Sequence, residues 1–149
     1  MRVIVTAAVI SILAFAAADA PASHMDDNPT ALAALEAKAD QAQRRDKCFL
    51  YAKLVSQMTD LAGRQVNSGD SGRASETLKL VQQYAEKIHM GVADDSKRLK
   101  DAELLVQRTS FRLKDILSEA SYEDRQVLQA TLTQVNRVQA QLMAHVFNQ

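Results

Sequence analysis

The feature that most constrains the fold is a stripe of apolar residues through the centre of the chain. Between positions 74 and 120 the stripe recurs at alternating steps of four and three residues, and 12 of its 14 positions are apolar. This heptad spacing predicts α-helix with one face buried against other helices. The stripe consists of Ala74, Leu78, Val81, Ala85, Ile88, Val92, Asp95, Leu99, Ala102, Val106, Thr109, Leu113, Ile116 and Ala120.

One region of this stripe is irregular, because Asp95 places a carboxylate at an inward position close to Gly91. The spacing keeps its phase on both sides, whereas a loop would normally shift it. We therefore predict one continuous helix over residues 73–120, about 70 Å long, with a kink at Gly91–Ser96. The alternative is that the helix ends in this region, so that Asp94 or Asp95 caps the next turn.

A second helical pattern precedes the central one, over residues 31–66. Thr30 follows a proline and is a suitable N-cap for this helix. The second half carries an apolar stripe, whereas residues 38–47 are polar and offer little to bury. A turn over residues 67–72, Asn-Ser-Gly-Asp-Ser-Gly, is predicted to reverse the chain. The stripe comprises Cys48, Tyr51, Val55, Met58, Ala62 and Gln65.

A third helical pattern follows the central one and runs to Phe147. Ser121 is a suitable N-cap, and Asp124 three residues later makes an approximate capping box. The pattern has an apolar face and a glutamine-rich face. The apolar face holds Leu128, Leu132, Val135, Val138, Leu142 and Val146, and the other face holds Gln126, Gln129, Gln134, Gln139 and Gln141.

These patterns define the predicted fold class. A one-sided helix is not stable alone, so each stripe must be covered by another, and short connections make neighbouring helices antiparallel. We predict an all-α domain over residues 30–149, an elongated antiparallel up-down-up bundle of three long helices. A four-helix bundle is the alternative if the middle helix breaks at Gly91–Ser96. Two prolines and 4 glycines are too few for a β-sandwich, barrel or propeller.

Residues 1–20 have the pattern of a secretory signal peptide. Arg2 supplies a positive start, an apolar run follows over residues 3–18, and small residues end it. The apolar run is shorter than the roughly 20 residues that a membrane-spanning helix needs. We therefore expect cleavage after Ala18, Ala20 or Ala22, export to the periplasm or outside the cell, and a disordered lead-in over residues 21–29. An uncleaved N-terminal anchor is the alternative.

Charge and cysteine content exclude further classes of protein. The 18 basic residues balance the 18 acidic residues, whereas nucleic-acid binding needs a basic surplus. The single cysteine, Cys48, excludes an intramolecular disulfide and any multi-cysteine metal site. We expect Cys48 to be an inert small hydrophobe. A cross-link between two copies in an oxidising compartment is the alternative.

Candidate metal ligands are few. Glu86 and His89 have the Glu-x-x-His spacing of di-iron bundles, but Leu142 stands three residues before His145, so the chain holds no second copy. A haem bundle would use His89 or His145 with Met58 or Met143 as axial ligands. We expect no metal and no cofactor, and Glu86, His89 and His145 remain the candidate ligands. The methionines expected to fill core gaps instead are Met58, Met90 and Met143.

The sequence shows no nucleophile elbow, phosphate-binding loop, metalloprotease motif or paired acidic dyad, so we predict no catalytic residues and no enzyme. Charge runs such as residues 97–101 are interpreted as solvated helix faces. The long helices with glutamine-rich faces resemble the small envelope-stress chaperones of the Spy type. The chain departs from their Leu-Thr-x-x-Gln signature, because Asn136 follows Leu132-Thr133 where the glutamine would stand.

Together these features predict an exported, non-enzymatic helical protein. We expect it to bind a protein partner or a second copy of itself through its amphipathic helix faces, in a structural or chaperone-like role. We expect no nucleic-acid partner, and no integral membrane segment after signal cleavage. The alternative function is a periplasmic helical bundle that binds a metal or haem.

Overall fold

The computed structural model describes residues 29–92 and 96–148, and within these residues the chain forms five α-helices and no strand. The all-α prediction is confirmed, but three helices, or four in the alternative, were expected. The predicted signal peptide, the lead-in up to residue 28, Asp94 and Asp95 lie outside the described residues. The helices are α1 (Pro29–Gln41), α2 (Arg44–Asn67), α3 (Ser71–Met90), α4 (Leu99–Glu119) and α5 (Tyr122–Phe147).

The predicted continuous helix over residues 73–120 is wrong. Helix α3 ends at Met90, where the Gly91 amide donates to the Lys87 carbonyl at 2.9 Å, and α4 begins at Leu99. Arg98, the residue before α4, has a φ of 57°, which no regular helix adopts. The apolar spacing keeps its phase across the break because α3 and α4 each turn their own stripe toward the same core.

Helices α2 to α5 enclose this core in the order α2, α3, α5, α4, each packing against the next, and α1 lies outside against α2. The α2 and α3 helices run antiparallel, as do α4 and α5. The Lys97 amide donates to the Arg45 carbonyl at 2.9 Å, which fixes the start of α4 beside the start of α2. Neither the three-helix prediction nor the four-helix alternative accounts for α1.

The core confirms most of the apolar stripes as buried faces. At Gly63 on α2, a Cβ atom would lie 2.9 Å from Ile116 Cδ1, so the glycine lets α2 and α4 approach closely. The polar Thr109 fits in the apolar stripe because its hydroxyl donates a hydrogen bond to the Leu105 carbonyl at 2.8 Å. The largest fully buried aliphatic side chains are Leu54, Leu78, Ile88, Leu113, Leu128 and Leu142.

The predicted helix over residues 31–66 is also interrupted, at Ala42 and Gln43. Helix α1 folds back along α2 in the antiparallel direction. Its N-terminal end, at Leu32, shares a cleft with residues 54–65 of α2, and its C-terminal end contacts Tyr51 near the start of α2. Thr30 lies inside α1, which begins at Pro29, so it is not the N-cap that the sequence predicts.

Helix α5 begins directly after Ser121, as predicted, but the cap differs from a capping box. The Ser121 hydroxyl donates to Asp124 Oδ2 at 2.9 Å, and the Ser71 hydroxyl donates to the same oxygen at 3.1 Å. The buried Asp124 carboxylate therefore ties the start of α5 to the start of α3. Across the described residues, none of the helices combines the length and the apolar character that crossing a bilayer demands.

Candidate interaction surface

The structure places one of the three candidate metal ligands, His145, far from the other two. Glu86 and His89 are exposed on α3, and His145 is exposed on α5. Glu86 accepts a hydrogen bond from Gln134 Nε2 at 2.7 Å, and His145 lies 11 residues beyond Gln134, about 16 Å along α5. Over residues 29–92 and 96–148, no group of three or more His, Cys, Asp or Glu side chains is arranged to hold a metal ion.

The methionines divide between the core and the surface. Met58 is buried, with an exposed fraction of 8%, whereas Met90 and Met143 are 66% and 40% exposed. The prediction that they fill core gaps is therefore correct for Met58 and wrong for the other two.

The Cys48 side chain is fully buried on the inner face of α2. Burial in apolar surroundings raises the pKa of its thiol to about 12. Since the thiolate is the reactive form, the folded chain holds this cysteine in its unreactive state and away from solvent.

The most developed surface feature surrounds Phe49 on α2. A cleft of about 590 Å³ lies on one side of Phe49, between α1, α2 and the chain before α4. A second cleft of about 400 Å³ lies on the other side, between α2 and α4. We call the two clefts together the Phe49 surface. Its apolar side chains are Leu35, Phe49, Leu50, Leu104 and Leu105, and its charged side chains are Lys38, Asp46, Lys53, Lys97, Arg98, Asp101 and Arg108.

Arg98 lines both clefts and has the least favourable backbone conformation of this surface. Its φ of 57° lies in the left-handed region, which costs a residue with a Cβ atom roughly 1–2 kcal/mol. Its guanidinium carbon lies 3.6 Å from the centroid of the Phe49 ring, and its Nε donates to Asp101 Oδ2 at 2.8 Å. Strained residues of this kind concentrate at functional sites, where neighbouring contacts hold them in place.

The Phe49 surface is positively charged although the chain as a whole is neutral. Five cations and two carboxylates line it. Asp101 is paired with Arg98, and Asp46 lies 4.0 Å from Arg45 Nε. The remaining cations, three lysines and Arg108, face solvent beside exposed or half-buried apolar side chains.

Sequence reasoning missed this surface. Its cations are scattered between positions 38 and 108, and only folding brings α1, α2 and α4 together. The interpretation of residues 97–101 as a solvated helix face is correct for the exposure of Lys97 and Arg98 but wrong for their helical state, since both residues precede α4 and line the clefts. One signal in the sequence pointed to this surface. Two adjacent basic residues, Lys97 and Arg98, follow closely after Gly91, in the region where the central helix was predicted to kink or end.

A second polar cluster fastens α1 to the rest of the molecule. The Tyr51 hydroxyl donates to Asp40 Oδ1 at 2.5 Å, and the Tyr84 hydroxyl donates to Glu36. Lys87 Nζ lies 3.2 Å from Asp40 Oδ1 and 5.2–5.3 Å from the centroids of both tyrosine rings. The two rings stack with centroids 6.1 Å apart. We call these five residues the tyrosine clamp.

The clamp changes the acidity of its members. Burial, and then the hydrogen bond to Asp40, raises the pKa of Tyr51 to about 12. Burial and the bond to Glu36 likewise raise the pKa of Tyr84. The hydrogen bond from Tyr51, followed by that from Lys87, lowers the pKa of Asp40. The clamp therefore keeps both tyrosines protonated and Asp40 ionised over a wide pH range.

Comparisons of this chain with protein-family models, with curated proteins and with solved structures each found no match. The Phe49 surface and the tyrosine clamp are therefore the observations from which a function is inferred. The Phe49 surface offers cations and apolar side chains at open clefts. The tyrosine clamp offers neutral hydroxyls already bonded to carboxylates, and its clear effect is to position α1.

Proposed function

We propose that this protein is exported, has no enzymatic role, and acts by binding another protein through the Phe49 surface. The observation that carries the binding proposal is Arg98, held in the left-handed conformation with its guanidinium over Phe49 between two clefts. Export is proposed from the pattern of residues 1–20 alone.

The chemistry of the surface identifies the class of partner. Aromatic and arginine side chains are the usual anchors of protein interfaces, surrounded by a polar rim. Here the whole surface, Arg98 included, carries three more positive than negative charges, the difference between five cations and two carboxylates. Complementarity therefore favours an acidic segment that also carries apolar side chains for the two clefts. The carboxylates of Asp46 and Asp101 add two negative charges at fixed positions, and these charges select the orientation in which that segment binds.

Binding of a synthetic probe tests this proposal. The probe is an amphipathic peptide with leucines on one face and glutamates on the other, followed by fluorescence anisotropy. We expect Lys53→Glu with Arg108→Glu to weaken its affinity by about tenfold or more, since 1.4 kcal/mol corresponds to tenfold. The matched control is Lys79→Glu with Arg137→Glu, which makes the same charge change at exposed positions outside the Phe49 surface. Equal loss in both variants would contradict the proposal.

Two further probes sharpen the same experiment. A peptide with lysines in place of the glutamates is expected to bind at least tenfold more weakly, as are vesicles of anionic lipid. Preferential binding to the vesicles would replace the protein partner by a membrane surface. Export is tested by expressing the full chain and sequencing the N-terminus of the recovered protein, which is expected to begin after residue 18, 20 or 22.

Arg98→Gly separates function from stability at this site. Glycine adopts a φ of 57° without strain, but it removes the contact with Phe49 and the bond to Asp101. Because these effects oppose each other, we expect the free energy of unfolding to change by less than about 1 kcal/mol. The affinity for the acidic peptide is expected to fall. An affinity equal to that of the wild type would show that Arg98 does not contribute to binding.

A further inference from the structure

The connection between α1 and α2 reverses the chain without any residue that favours a turn. Residues 41–44 read Gln-Ala-Gln-Arg, and positions 30–62 contain neither glycine nor proline. All four residues of this connection are good helix formers. The Gln43 side chain makes no capping hydrogen bond to α2. Local sequence therefore favours a continuous helix across residues 42 and 43, and the observed reversal must be imposed by contacts elsewhere.

The tyrosine clamp supplies those contacts. Of the 13 residues of α1, only Leu32 and Ala39 are buried, and isolated helices shorter than about 12–15 residues are marginal in water. The carboxylates of Glu36 and Asp40 lie one turn apart on α1 and bond to Tyr84 and Tyr51. The fit is incomplete at the other end of α1, where a cleft of about 350 Å³ adjoins Leu32. Within the described part of the chain, the buried Gln65 Oε1 in this cleft has no hydrogen-bond partner.

We propose that two copies of this chain exchange their α1 helices. When residues 42 and 43 become helical, α1 and α2 form one helix over residues 29–67, about 58 Å long. This extension removes α1 from the surface of α2 and α3 on which it packs, which we call the seat, and exposes Tyr51 and Tyr84. The α1 helix of a second copy presents the same leucine and carboxylates to that seat, so each contact of the clamp is made again between copies. The result is a closed, twofold-symmetric dimer.

A second copy is the favoured occupant because the complement of the seat is already known. The seat presents two tyrosine hydroxyls and the Lys87 ammonium, and α1 carries carboxylates at the matching four-residue spacing. Every copy of the chain carries this helix. The exchanged and unexchanged forms differ mainly in two respects. The residues of the connection prefer to be helical, which favours the exchanged form, whereas the high effective concentration of α1 beside its own seat favours the unexchanged form.

Two variants move this equilibrium in opposite directions. Deletion of residues 41–44, about one helical turn, shortens the connection so that α1 cannot fold back while its contact face stays aligned in the extended helix. The deletion variant is therefore expected to be predominantly dimeric. Arg44→Pro suits the unexchanged form, because proline is favoured at the first position of α2 and Gln43 already has the extended ψ of 149°. Proline would break the extended helix, so the dimer fraction is expected to fall about tenfold or more below that of the wild type.

Cross-linking distinguishes exchange from association through another surface. The Asp40 carboxylate lies 3.2 Å from Lys87 Nζ, so a carbodiimide can join them as an amide with loss of water. Isotopically light and heavy copies are mixed, unfolded, and refolded together at high concentration, and the dimer is isolated and cross-linked. The proposal predicts that the Asp40–Lys87 peptide pair contains one light and one heavy partner in about half of the molecules. Pairs of one isotope only would overturn it.

The remaining outcomes are equally decisive. A deletion variant that stays monomeric would show that α1 cannot bind in the seat of another copy. A dimer that persists unchanged in Arg44→Pro would show that the extended helix is not its basis. In the deletion variant, Tyr51→Phe with Tyr84→Phe is expected to weaken the dimer at least tenfold, whereas Tyr122→Phe, at a 92% exposed position, is the matched control and is expected to leave it unchanged.

Discussion

Two of the tight reversals in this molecule are built in opposite ways. Between α2 and α3, Gly69 adopts a φ of 77°, and the Asp70 carboxylate accepts a hydrogen bond from the Arg73 amide at 3.3 Å. The amide of Asp70 also closes the end of α2 by donating to the Gln65 carbonyl at 2.9 Å. Between α1 and α2, Ala42 and Gln43 offer neither a glycine nor a capping side chain. The Ala42 amide donates to the Ala39 carbonyl at 3.4 Å, and the Gln43 carbonyl accepts from the Asp46 amide of α2 at 2.9 Å.

The difference shows where each reversal obtains its stability. The α2–α3 turn is encoded by the residues that form it, because only glycine accepts that φ without strain. The α1–α2 reversal is encoded by residues on three helices that meet only after folding. A reversal of the second kind is lost when its distant contacts are lost, so we expect α1 to open more easily than the other helices of the described structure.

The largest expected contrast lies between two leucines. Leu78→Ala removes a fully buried side chain from α3 and is expected to lower the free energy of unfolding by about 3 kcal/mol. Leu32→Ala is expected to affect α1 mainly, since Leu32 lies at the edge of the buried cluster, beside the cleft between α1 and α2. Hydrogen exchange should show rapid exchange of residues 29–41 with protection retained in α2–α5. An equal loss of global stability in both variants would mean that α1 unfolds together with α2–α5.

The clamp should be visible in an alkaline titration. Because the pKa values of Tyr51 and Tyr84 are raised in the folded chain, their contribution to stability is complete below about pH 10, the ordinary tyrosine value, and is lost as pH rises toward 12. Tyrosinate absorbance in a Tyr122→Phe background measures these two groups alone. We expect Glu36→Ala with Asp40→Ala to shift the titration to lower pH, since α1 then leaves the tyrosines. An unchanged titration would show that α1 does not depend on the carboxylates.

The smallest expected contrast compares the two connections directly. Gly69→Ala introduces a Cβ atom into open space but at a positive φ, so we expect a loss of about 1 kcal/mol. Gly72→Ala, at an equally open helical position, is the control and should gain up to about 0.5 kcal/mol. Gln43→Ala should change stability by less than about 0.5 kcal/mol. A larger loss at Gln43 would indicate a local determinant of the α1–α2 reversal. Thermal unfolding measures all three.

The sequence predicted the helical faces well because burial repeats with the helix period. Leu78, Val106 and Leu142 were placed in stripes and are fully or almost fully buried. The break after Met90 was not resolved from the same pattern, since two helices facing one core can share a phase. Asp95 and Gly91 marked the region, but a periodic pattern alone does not distinguish a kink from a crossing between helices.

The features with functional interest were harder to predict for a physical reason. The bonds from Tyr51 and Tyr84 to α1 join residues 11 and 48 positions apart, and no local pattern encodes them. Tyr51 was assigned to the core stripe, which is correct for its ring but does not reveal its hydroxyl. The positive φ of Arg98 likewise depends on the folded position of α4 beside α2 and is not a preference of arginine.

A distance between α1 and α2 tests most directly whether distant contacts hold the α1–α2 reversal. Spin labels at Ala34→Cys, in the first half of α1, and at Asn67→Cys, the last residue of α2, occupy exposed positions. Because the axes of helices that pack side by side lie about 8–10 Å apart, the folded-back α1 keeps these two positions within roughly 20 Å of each other, whereas a continuous helix would separate them by about 50 Å. Double electron–electron resonance should give only the short distance in the monomeric wild type and a substantial long-distance population in Glu36→Ala with Asp40→Ala. A short distance alone in both proteins would contradict the account.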